Sequence, residues 1–543
     1  MKRIKLLFIL LLFTISSALL AGVNLKNGNF YISYTDLIVP GGGHDLMVSR
    51  TYNSKSADKG WFGFGWGNSF ETYLVPAADG SVVIHENGSG ATTRFTPKEA
   101  VNAEQASKQI VDVMRKKSPM SDKVAATLVK RLKGDAELRQ AYARRFGVAA
   151  KLAVGTILYS NARGIQKLQR TKSGYKRLFD GGGYESFDKQ GRLSNVKDKD
   201  GYSVKFVYKK GALHSIRDSQ AKQIFFSWYP SGRVKSSWSS GEKKASYKYD
   251  GDNLVESTDV SGNVYSYSYD FNHNLTKVSY KDGSDMSVTY TPKTQFVSSV
   301  KSKSGDITKY EYDSNPQNPR FHYWTVVTKQ GLNKKPVANR YEYEIKSRPD
   351  GSQYTYRILT IISKIKTETI YSECCSLPLK ITRGNNVTTF DYNKRGLLTK
   401  KSSSRGDMIK IDYHKRFNKV SRVVDGNGWT NFEYDKRGNL YKAQNSQGQS
   451  VLLIYDRKGR ITKMVDYQKS SKKKRALSFK YNSLGKPVEI AMSKVGKINV
   501  AYDNYGEIKK VESKAGHRMA LQVTQAFQSL LKIVKPAGVN LSM

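Results

Sequence analysis

The clearest pattern along the chain is strict alternation between hydrophobic and polar residues over short runs. Residues 264–270 read Val-Tyr-Ser-Tyr-Ser-Tyr-Asp, and residues 430–435 read Thr-Asn-Phe-Glu-Tyr-Asp. This period of two predicts strands with one buried face. Because successive strand side chains point to opposite sides, Tyr265, Tyr267 and Tyr269 are expected to share one face.

A short phrase ends these runs and recurs along the chain: an aromatic residue, Asp or a substitute, a Gly or Asn turn, and a branched aliphatic residue. In such a turn Asp accepts backbone hydrogen bonds, and Gly adopts positive φ at little steric cost. A second strand and a second turn follow, so each repeat is predicted to be one β-hairpin. The clear copies span residues 187–193, 229–234, 249–254, 269–275, 434–440, 455–461 and 502–508.

The spacing of the aromatic positions is regular. Positions 187, 208, 229, 249, 269 and 290 are 20 or 21 residues apart, and positions 392, 413, 434 and 455 are 21 apart. Such a fixed period indicates a repeat architecture. The residues expected to have this repeat-structural role are Phe187, Asp188, Gly191, Tyr249, Asp250, Tyr269, Asp270, Tyr434, Asp435, Gly438, Tyr455, Asp456, Gly459, Tyr502, Asp503 and Gly506.

The number of hairpins determines the fold class. About a dozen hairpins give roughly two dozen strands, whereas a twisted open sheet rarely exceeds about 10 strands without curling. No amphipathic helices alternate with the strands to cover a face. We therefore expect a mainly β fold of tandem hairpins that curls into a spiral tube or shell. The tyrosines are expected to pack between neighbouring hairpins, with a sugar-stacking platform as the alternative.

The region before the repeats is rich in Gly and aromatic residues and carries a family resemblance. Residues 49–52 read Ser-Arg-Thr-Tyr, and residues 62–66 read Phe-Gly-Phe-Gly-Trp. With the Tyr-Asp repeats, these phrases resemble the amino-terminal plug-type segment and repeats of Rhs and related YD-repeat proteins. The resemblance implies a shell. Long members enclose a carboxy-terminal toxin, but no toxin domain is recognisable here, so toxin activity is not transferred to this chain.

Helical patterns interrupt the strands in two places. Helix-start signals follow Thr96 and recur at Ser121 and Asp135, which predicts a small basic helical insertion. Its apolar positions at helical spacing are Ile110, Val113 and Met114, then Val124, Leu128 and Leu132. Near the end, a short docking helix is predicted from the apolar positions Phe527, Leu530, Leu531 and Val534.

These patterns divide the chain into seven segments. Residues 313–390 are either degenerate repeats or a loop-bearing elaboration, and the sequence does not decide between them. The predicted order is a signal peptide 1–21, an Rhs-type β segment 22–96, a helical insertion 97–155, YD repeats 156–312, irregular or degenerate repeats 313–390, YD repeats 391–515, and a C-terminal tail with a short helix 516–543.

The first residues have the form of a secretory signal. Lys2, Arg3 and Lys5 precede an apolar run over residues 6–15, and cleavage is expected after Ala18 or Ala21. No later apolar stretch is long enough to span a membrane as a helix. The protein is therefore expected to be exported to the periplasm, the cell surface or the medium, without a transmembrane segment after cleavage.

The two cysteines, Cys374 and Cys375, are adjacent. In an oxidising compartment they can form a strained vicinal disulfide or bond to another chain. No nearby His or Cys completes a metal site, so neither a metal nor a cofactor is predicted. The Ser, phosphate-loop and zinc-protease motifs are absent, and His85-Glu86 lacks a second His. The chain is therefore predicted not to be an enzyme, with polysaccharide processing as a lesser alternative.

Charge indicates the class of partner. The 91 Lys and Arg residues against 46 Asp and Glu residues give a net charge of +45, which favours anionic partners. Export argues against specific nucleic-acid binding. The leading hypothesis is a non-catalytic exported scaffold that binds an anionic glycan, an envelope component or a protein partner. The alternative is an incomplete shell that encloses a separately encoded toxin or cargo.

Overall fold

In the computed structural model of the chain, most residues beyond the predicted signal peptide are described. Of the predicted signal peptide, residues 1–19 lie outside the described residues, whereas residues 20 and 21 are described. The described ranges are 20–40, 44–88, 90–98, 102–160, 166–179, 182–198, 201–239, 241, 243–331, 335–349, 351–374, 376–457, 459–482, 486–502 and 508–534.

The N-terminal segment forms three small antiparallel sheets, in the orders β1-β2-β3-β6, β4-β5 and β7-β8-β9. A single 3-10 turn, Ser69–Glu71, lies between β6 and β7. The strands are β1 Leu20–Asn24, β2 Asn29–Val39, β3 Leu46–Asn53, β4 Lys59–Gly60, β5 Gly63–Phe64, β6 Trp66–Asn68, β7 Tyr73–Pro76, β8 Val82–Glu86 and β9 Ala91–Phe95.

Three helices follow: α1 Ala103–Lys117, α2 Asp122–Gly134 and α3 Ala136–Phe146. They pack on one another around a small core of their own. The prediction that the first helix begins just after Thr96 is wrong. Thr96 still pairs with Tyr159 in a β-bridge, and the side chain of Asn102 caps α1 instead.

The predicted apolar stripe of α2 is confirmed at Leu132, which is buried, and at Leu128, which packs against the helical core, but it is wrong at Val124. Val124 is 54% exposed, whereas Ala125 next to it is buried, as is Leu132. The stripe that contacts α1 therefore runs through Ala125 and Leu132, because an offset of one residue turns a helical position by about a quarter of a turn.

Beyond α3, the described strands form one antiparallel sheet of 33 strands that pair strictly in sequence order. Its first part consists of β10 Ile157–Ser160, β11 Gln166–Thr171, β12 Gly174–Phe179, β13 Tyr184–Phe187, β14 Leu193–Lys197, β15 Ser203–Lys209, β16 Ala212–Asp218, β17 Gln223–Trp228, β18 Val234–Trp238, β19 Lys244–Asp250, β20 Asn253–Thr258, β21 Val264–Tyr269, β22 Leu275–Tyr280, β23 Asp285–Tyr290 and β24 Val297–Lys301.

The middle of the sheet has longer strands. Of the two alternatives left open for residues 313–390, it supports degenerate repeats over a loop-bearing elaboration. Hairpin pairing continues without a break, and both predicted boundaries fall inside strands. Strand lengthening hides the 21-residue period but preserves the ladder, so the sheet exceeds the two dozen strands expected. The strands are β25 Ile307–Ser314, β26 His322–Gln330, β27 Val337–Ser347, β28 Gln353–Ile362, β29 Ile365–Tyr371, β30 Pro378–Arg383 and β31 Asn386–Tyr392.

The last part of the sheet returns to short hairpins and ends in a helix. That helix, α4 Gly516–Val534, is 19 residues long rather than short. The strands are β32 Leu398–Ser403, β33 Met408–Tyr413, β34 Val420–Asp425, β35 Gly428–Tyr434, β36 Leu440–Asn445, β37 Gln449–Tyr455, β38 Ile461–Gln468, β39 Lys473–Tyr481, β40 Pro487–Met492, β41 Gly496–Tyr502 and β42 Ile508–Glu512.

Two separate cores cover one face of the sheet, here called the inner face. The N-terminal segment packs on the first part, where its buried residues contact those of the hairpins. Helix α4 packs on β36, β37, β38 and β41 through Met519, Ala526 and Leu530. Phe527, predicted to dock, is 37% exposed, and its ring centre lies 6.2 Å from that of Phe479. The side chains of Leu531 and Val534 lie outside the described residues.

Contacts of the N-terminal segment show how far the sheet curls. The amide of Leu74 donates to the carbonyl of Gly191 at 2.8 Å, near the start of the sheet. At its other end, the hydroxyl of Thr325 donates to the carbonyl of Leu25 at 2.6 Å. One short segment thus contacts strands from β14 to β26, which a flat ribbon would not allow. The predicted fold class, a mainly β array of curled hairpins, is confirmed. No described helix is both long and apolar enough to cross a bilayer.

Candidate functional site

In most copies the aromatic residue of the repeated phrase bonds its hairpin to the one before it. Tyr229 is an exception, because its hydroxyl donates to the carbonyl of Tyr247 at 3.2 Å in the next hairpin. The hydroxyl of Tyr269 donates to the carbonyl of Leu254 at 2.7 Å, and that of Tyr455 donates to the carbonyl of Leu440 at 2.7 Å. Burial raises the pKa of Tyr455 to about 12, so the hydroxyl keeps its proton at neutral pH. The equivalent bond is made by Tyr208, Tyr249, Tyr290, Tyr392, Tyr413, Tyr434 and Tyr502.

The Asp of the phrase closes the turn. A carboxylate oxygen of Asp270 accepts from the backbone amides of Asn272 and Asn274, each at 2.9 Å. The side chains of Asp188, Asp435 and Asp456 likewise accept a hydrogen bond from the backbone amide four residues later. The turn glycines with φ between +80° and +84° are Gly191, Gly438 and Gly459. These residues therefore have the local role that favours glycine, because L side chains rarely adopt this conformation.

The remaining residues of the predicted set differ in detail. Phe187 has no hydroxyl and is buried in the core of the first part. Asp250 is followed at once by Gly251, whose φ is +54°, so this turn is shorter. Asp503 and Gly506 lie outside the described residues.

The phrase at residues 49–52 fixes the N-terminal segment to the hairpins through a buried ion pair. Arg50 is fully buried and donates to Asp36 at 2.7 Å, to the hydroxyl of Ser257 at 2.5 Å and to that of Tyr267 at 2.7 Å. Its guanidinium also lies 4.6 Å from the ring centre of Trp66. Burial opposes the charge, but Asp36 and Tyr267 raise the pKa of Arg50 well above its usual value.

The phrase at residues 62–66 contributes to the same interface. The indole nitrogen of Trp66 donates to the hydroxyl of Tyr269 at 2.9 Å. The hydroxyl of Tyr52 donates to the carbonyl of His273 at 3.0 Å and accepts from the amide of Leu275 at 2.9 Å. The two phrases that carry the family resemblance therefore hold the segment against the repeats.

The opposite face of the sheet, here called the outer face, carries pairs of like charges. Lys205 lies directly opposite Arg217 across β15 and β16, and Lys400 lies opposite Lys410 across β32 and β33. The residues beside them in sequence, such as Ile216, are buried on the inner face. Among the described residues these four basic side chains have no acidic partner. The sequence predicted a basic surface but did not place these pairs.

One cluster that sequence reasoning missed has the composition of a metal site. His322, Glu342 and Glu344 place ligand atoms within 4.8 Å of one another, because β26 pairs with β27. However, Arg340 donates to Glu342 at 2.8 Å, and Arg357 donates to Glu344. Since both carboxylates already have cationic partners, the cluster is a closed ion-pair network, and we assign no metal to it.

The cysteine pair lies between β29 and β30. Cys374 is disulfide-bonded, and Cys375 lies outside the described residues. The predicted site is therefore described only in part.

Family models match three parts of the chain. Residues 21–95 match a domain of unknown function, DUF6531, residues 249–285 match the RHS repeat, and residues 379–542 match the teneurin YD-shell. Among curated proteins, the tRNA nuclease WapA of Bacillus subtilis (strain 168) is 37% identical over 76 residues. The tRNA3(Ser)-specific nuclease WapA of Bacillus spizizenii has the same identity over the same length. Each match covers 14% of this chain and 3% of the relative.

Among solved structures, Tc toxin proteins align with most of this chain. The alignment with the TcdB2-TccC3 structure without its hypervariable C-terminal region covers 90% of this chain and 30% of the TcdB2-TccC3 chain. The sequence identity is 9% and the TM-score is 0.37. The alignment with the Photorhabdus luminescens Tc holotoxin pore covers 89% of this chain and 29% of the pore chain, with the same identity and TM-score. This chain therefore spans about a third or less of these proteins. On the strength of its matched segments and its hairpin repeats, the chain belongs to the Rhs/YD-repeat family.

Proposed function

We propose that this shell-like YD-repeat scaffold is exported, has no catalytic activity, and binds an anionic glycan of a cell envelope along its outer face. The observation that carries the proposal is the pair of like-charged contacts, Lys205 with Arg217 and Lys400 with Lys410. Like charges placed directly opposite each other destabilise an antiparallel ladder. A polyanion lying across the strands removes this repulsion. The pairs therefore have a role in binding a polyanion, whereas they have no favourable role in folding.

The geometry supports extended recognition over a single pocket. Neighbouring strands are about 4.8 Å apart, so basic side chains on successive strands form a row rather than a point. Charge on an exposed face attracts polyanions over roughly a Debye length, about 8 Å at physiological salt. Binding is therefore expected to be saturable and to weaken steeply as salt rises.

The test compares binding of the full mature protein to immobilised polygalacturonate and to neutral dextran at increasing NaCl. We expect salt-sensitive binding to the first and none to the second. The double variant Lys205→Ser with Arg217→Ser is expected to bind polygalacturonate several-fold more weakly. The matched control is Lys248→Ser with Lys277→Ser, because these outer lysines already pair with Glu256 and Asp285.

Both double variants remove two positive charges, so the comparison separates position from net charge. Equal loss in the two variants would show that only net charge matters, and the assigned residues would be wrong. Wild-type protein that fails to bind polygalacturonate, or binds it independently of salt, would overturn the proposal.

A second candidate, a shell that holds a protein cargo, is favoured by one specific observation. None of the residues of the four consecutive strands β29 to β32 is buried, so this part of the sheet is covered on neither face. Half-exposed Ile381 and Phe390 lie here on the inner face, between the two cores. Purification from native cells followed by mass spectrometry tests this candidate. A stoichiometric protein partner would support it, and glycan without protein would support the first proposal.

A further inference from the structure

A cavity of 630 Å³ lies where three parts of the chain meet. The N-terminal segment contributes Trp61 and Tyr73, helix α3 contributes Arg144, and the hairpins contribute Tyr208 and Trp228. Its volume is within the range of about 300–1,000 Å³ that is usual for small-molecule sites. Apart from the bond of the Tyr208 hydroxyl, none of the repeat, interface or outer-face contacts described above involves these lining residues.

Glu71, at the end of the 3-10 turn, lines the cavity and is only 8% exposed. One carboxyl oxygen accepts from the amide of Trp61, and the other, Oε2, has no hydrogen-bond partner among the described residues. Two glycines of the lining make room for the carboxyl. A Cβ at Gly88 would lie 3.1 Å from Oε2, and one at Gly60 would lie 2.9 Å from Oε1.

The surroundings of Glu71 also determine its charge. Burial raises the pKa of Glu71 to about 8, and Asp58 adds to this. The backbone amides of Trp61 and Asn68, together with Arg233, act in the opposite direction. At neutral pH the group is therefore mostly uncharged, so Glu71 adds little negative charge to the wall of the cavity.

The charged groups of the lining fall into two sets. Lys59 and Arg192 are already neutralised, by Asp252 and Asp188 respectively. In contrast, Arg144, Lys210 and Asp58 also line the cavity and form no ion pair within the described part of the chain. Two free cations and one free carboxylate leave the cavity with a net preference for an anionic ligand that also carries hydrogen-bond donors.

The walls add flat apolar surfaces. Trp61 and Trp228 meet edge to face with their ring centres 5.4 Å apart. The indole nitrogen of Trp228 donates to the carbonyl of Leu213 at 2.8 Å, so the orientation of this ring is fixed. Aromatic faces combined with a few convergent polar groups are suited to a ring that is apolar on one side and hydroxylated at its edge.

We infer that this cavity binds one carboxylated sugar unit of the uronate class. Arg144 and Lys210 bind its carboxylate, Asp58 accepts hydrogen bonds from its hydroxyl groups, and Trp61 with Trp228 contacts the apolar side of its ring. The choice of ligand class rests on the proposed function, since it names the acidic unit of the anionic glycan. The site itself is separate from the outer face.

The test is isothermal titration of the full mature protein with galacturonic acid and, as the neutral ring of the same shape, galactose. We expect galacturonic acid to bind and galactose not to. Arg144→Gln is expected to weaken binding by about tenfold, the usual effect of losing one charge-assisted hydrogen bond. Arg145→Gln is the matched control, since Arg145 is the next residue of α3, is exposed and does not line the cavity.

A second pair gives an independent check from the hairpins: Lys210→Gln should weaken binding, whereas Lys209→Gln should not. Failure of galacturonic acid to bind, or equal binding by Arg144→Gln and wild type, overturns the cavity inference. If polygalacturonate still binds in that case, the outer-face proposal stands. Conversely, binding of galacturonic acid without binding of the polymer would leave the cavity standing and overturn the outer-face proposal.

Discussion

At the scale of single residues, the tyrosines and aspartates that dominate the sequence are used by the fold itself. Tyr434 donates its hydroxyl to the carbonyl of Val420 at 2.7 Å, and Asp435 closes the turn that follows. Each such bond contributes about 1 kcal/mol, and the repeats multiply the effect along the array. Polar residues that make no repeat contact, such as Glu71, belong to no repeat phrase.

The buried ion pair of Arg50 gives a sharp prediction at this scale. Arg50→Met leaves Asp36 buried without its cation, so we expect docking of the N-terminal segment to weaken by about 3–5 kcal/mol. The double variant Arg50→Met with Asp36→Leu should recover much of that loss, since neither charge remains. Hydrogen exchange of peptides from β2 and β3, measured by mass spectrometry, reports the opening.

One outcome of the exchange experiment would contradict this prediction. Equal protection of β2 and β3 in wild type and Arg50→Met would mean that the aromatic contacts of Trp66 and Tyr52 hold the segment without the ion pair. The remaining hairpins, which do not contact the pair, provide the internal reference in the same experiment.

At the scale of elements, the hairpin is fixed by local chemistry but its length is not. Strands β27 and β28 have 11 and 10 residues, whereas β21 and β22 have six each. Lengthening both strands of a hairpin keeps every ladder bond while it changes the spacing between aromatic positions. For this reason the period fails over residues 313–390 although the pairing does not.

Helix α4 allows a test of docking at this scale. Met519 is fully buried against the sheet, whereas Leu521, two residues on, is 44% exposed. Met519→Asp places a carboxylate in that core, so we expect α4 to detach, at a cost of several kcal/mol. Leu521→Asp makes the same chemical change on the solvent side and should leave α4 docked. Limited proteolysis within residues 516–534 distinguishes the two, and equal resistance of both variants would contradict the assignment.

At the scale of the whole molecule, the sheet is an open ladder with two covered regions and an uncovered stretch between them. The N-terminal segment covers strands up to β26, and α4 covers β36 to β41. Both ligand proposals follow from this arrangement. The outer face is accessible along the ladder, and the cavity exists only because the N-terminal segment and α3 close over the first hairpins.

The proposed export leads to a further prediction, the position at which the signal peptide is cleaved. Strand β1 pairs with β2 from Leu20 opposite Ser33 and Ala21 opposite Ile32 onward. Cleavage after Ala21 would remove both pairs, whereas cleavage after Ala18 preserves the whole strand. We therefore expect Leu19 to be the first residue of the exported protein. Intact-mass measurement of secreted material checks this, and a chain that begins at Gly22 would contradict it.

The sequence by itself determined the hairpin unit, its turn residues and the curled β array, because each of these depends on residues within about 20 positions of one another. It also singled out the phrases around Arg50 and Trp66, although not their partners. Only the tertiary structure decided that Arg50 meets Tyr267, that Trp61 meets Trp228, and that Glu71 is buried. Those contacts join residues far apart in a chain whose period repeats many equivalent surfaces, so local patterns cannot specify which hairpin each residue contacts.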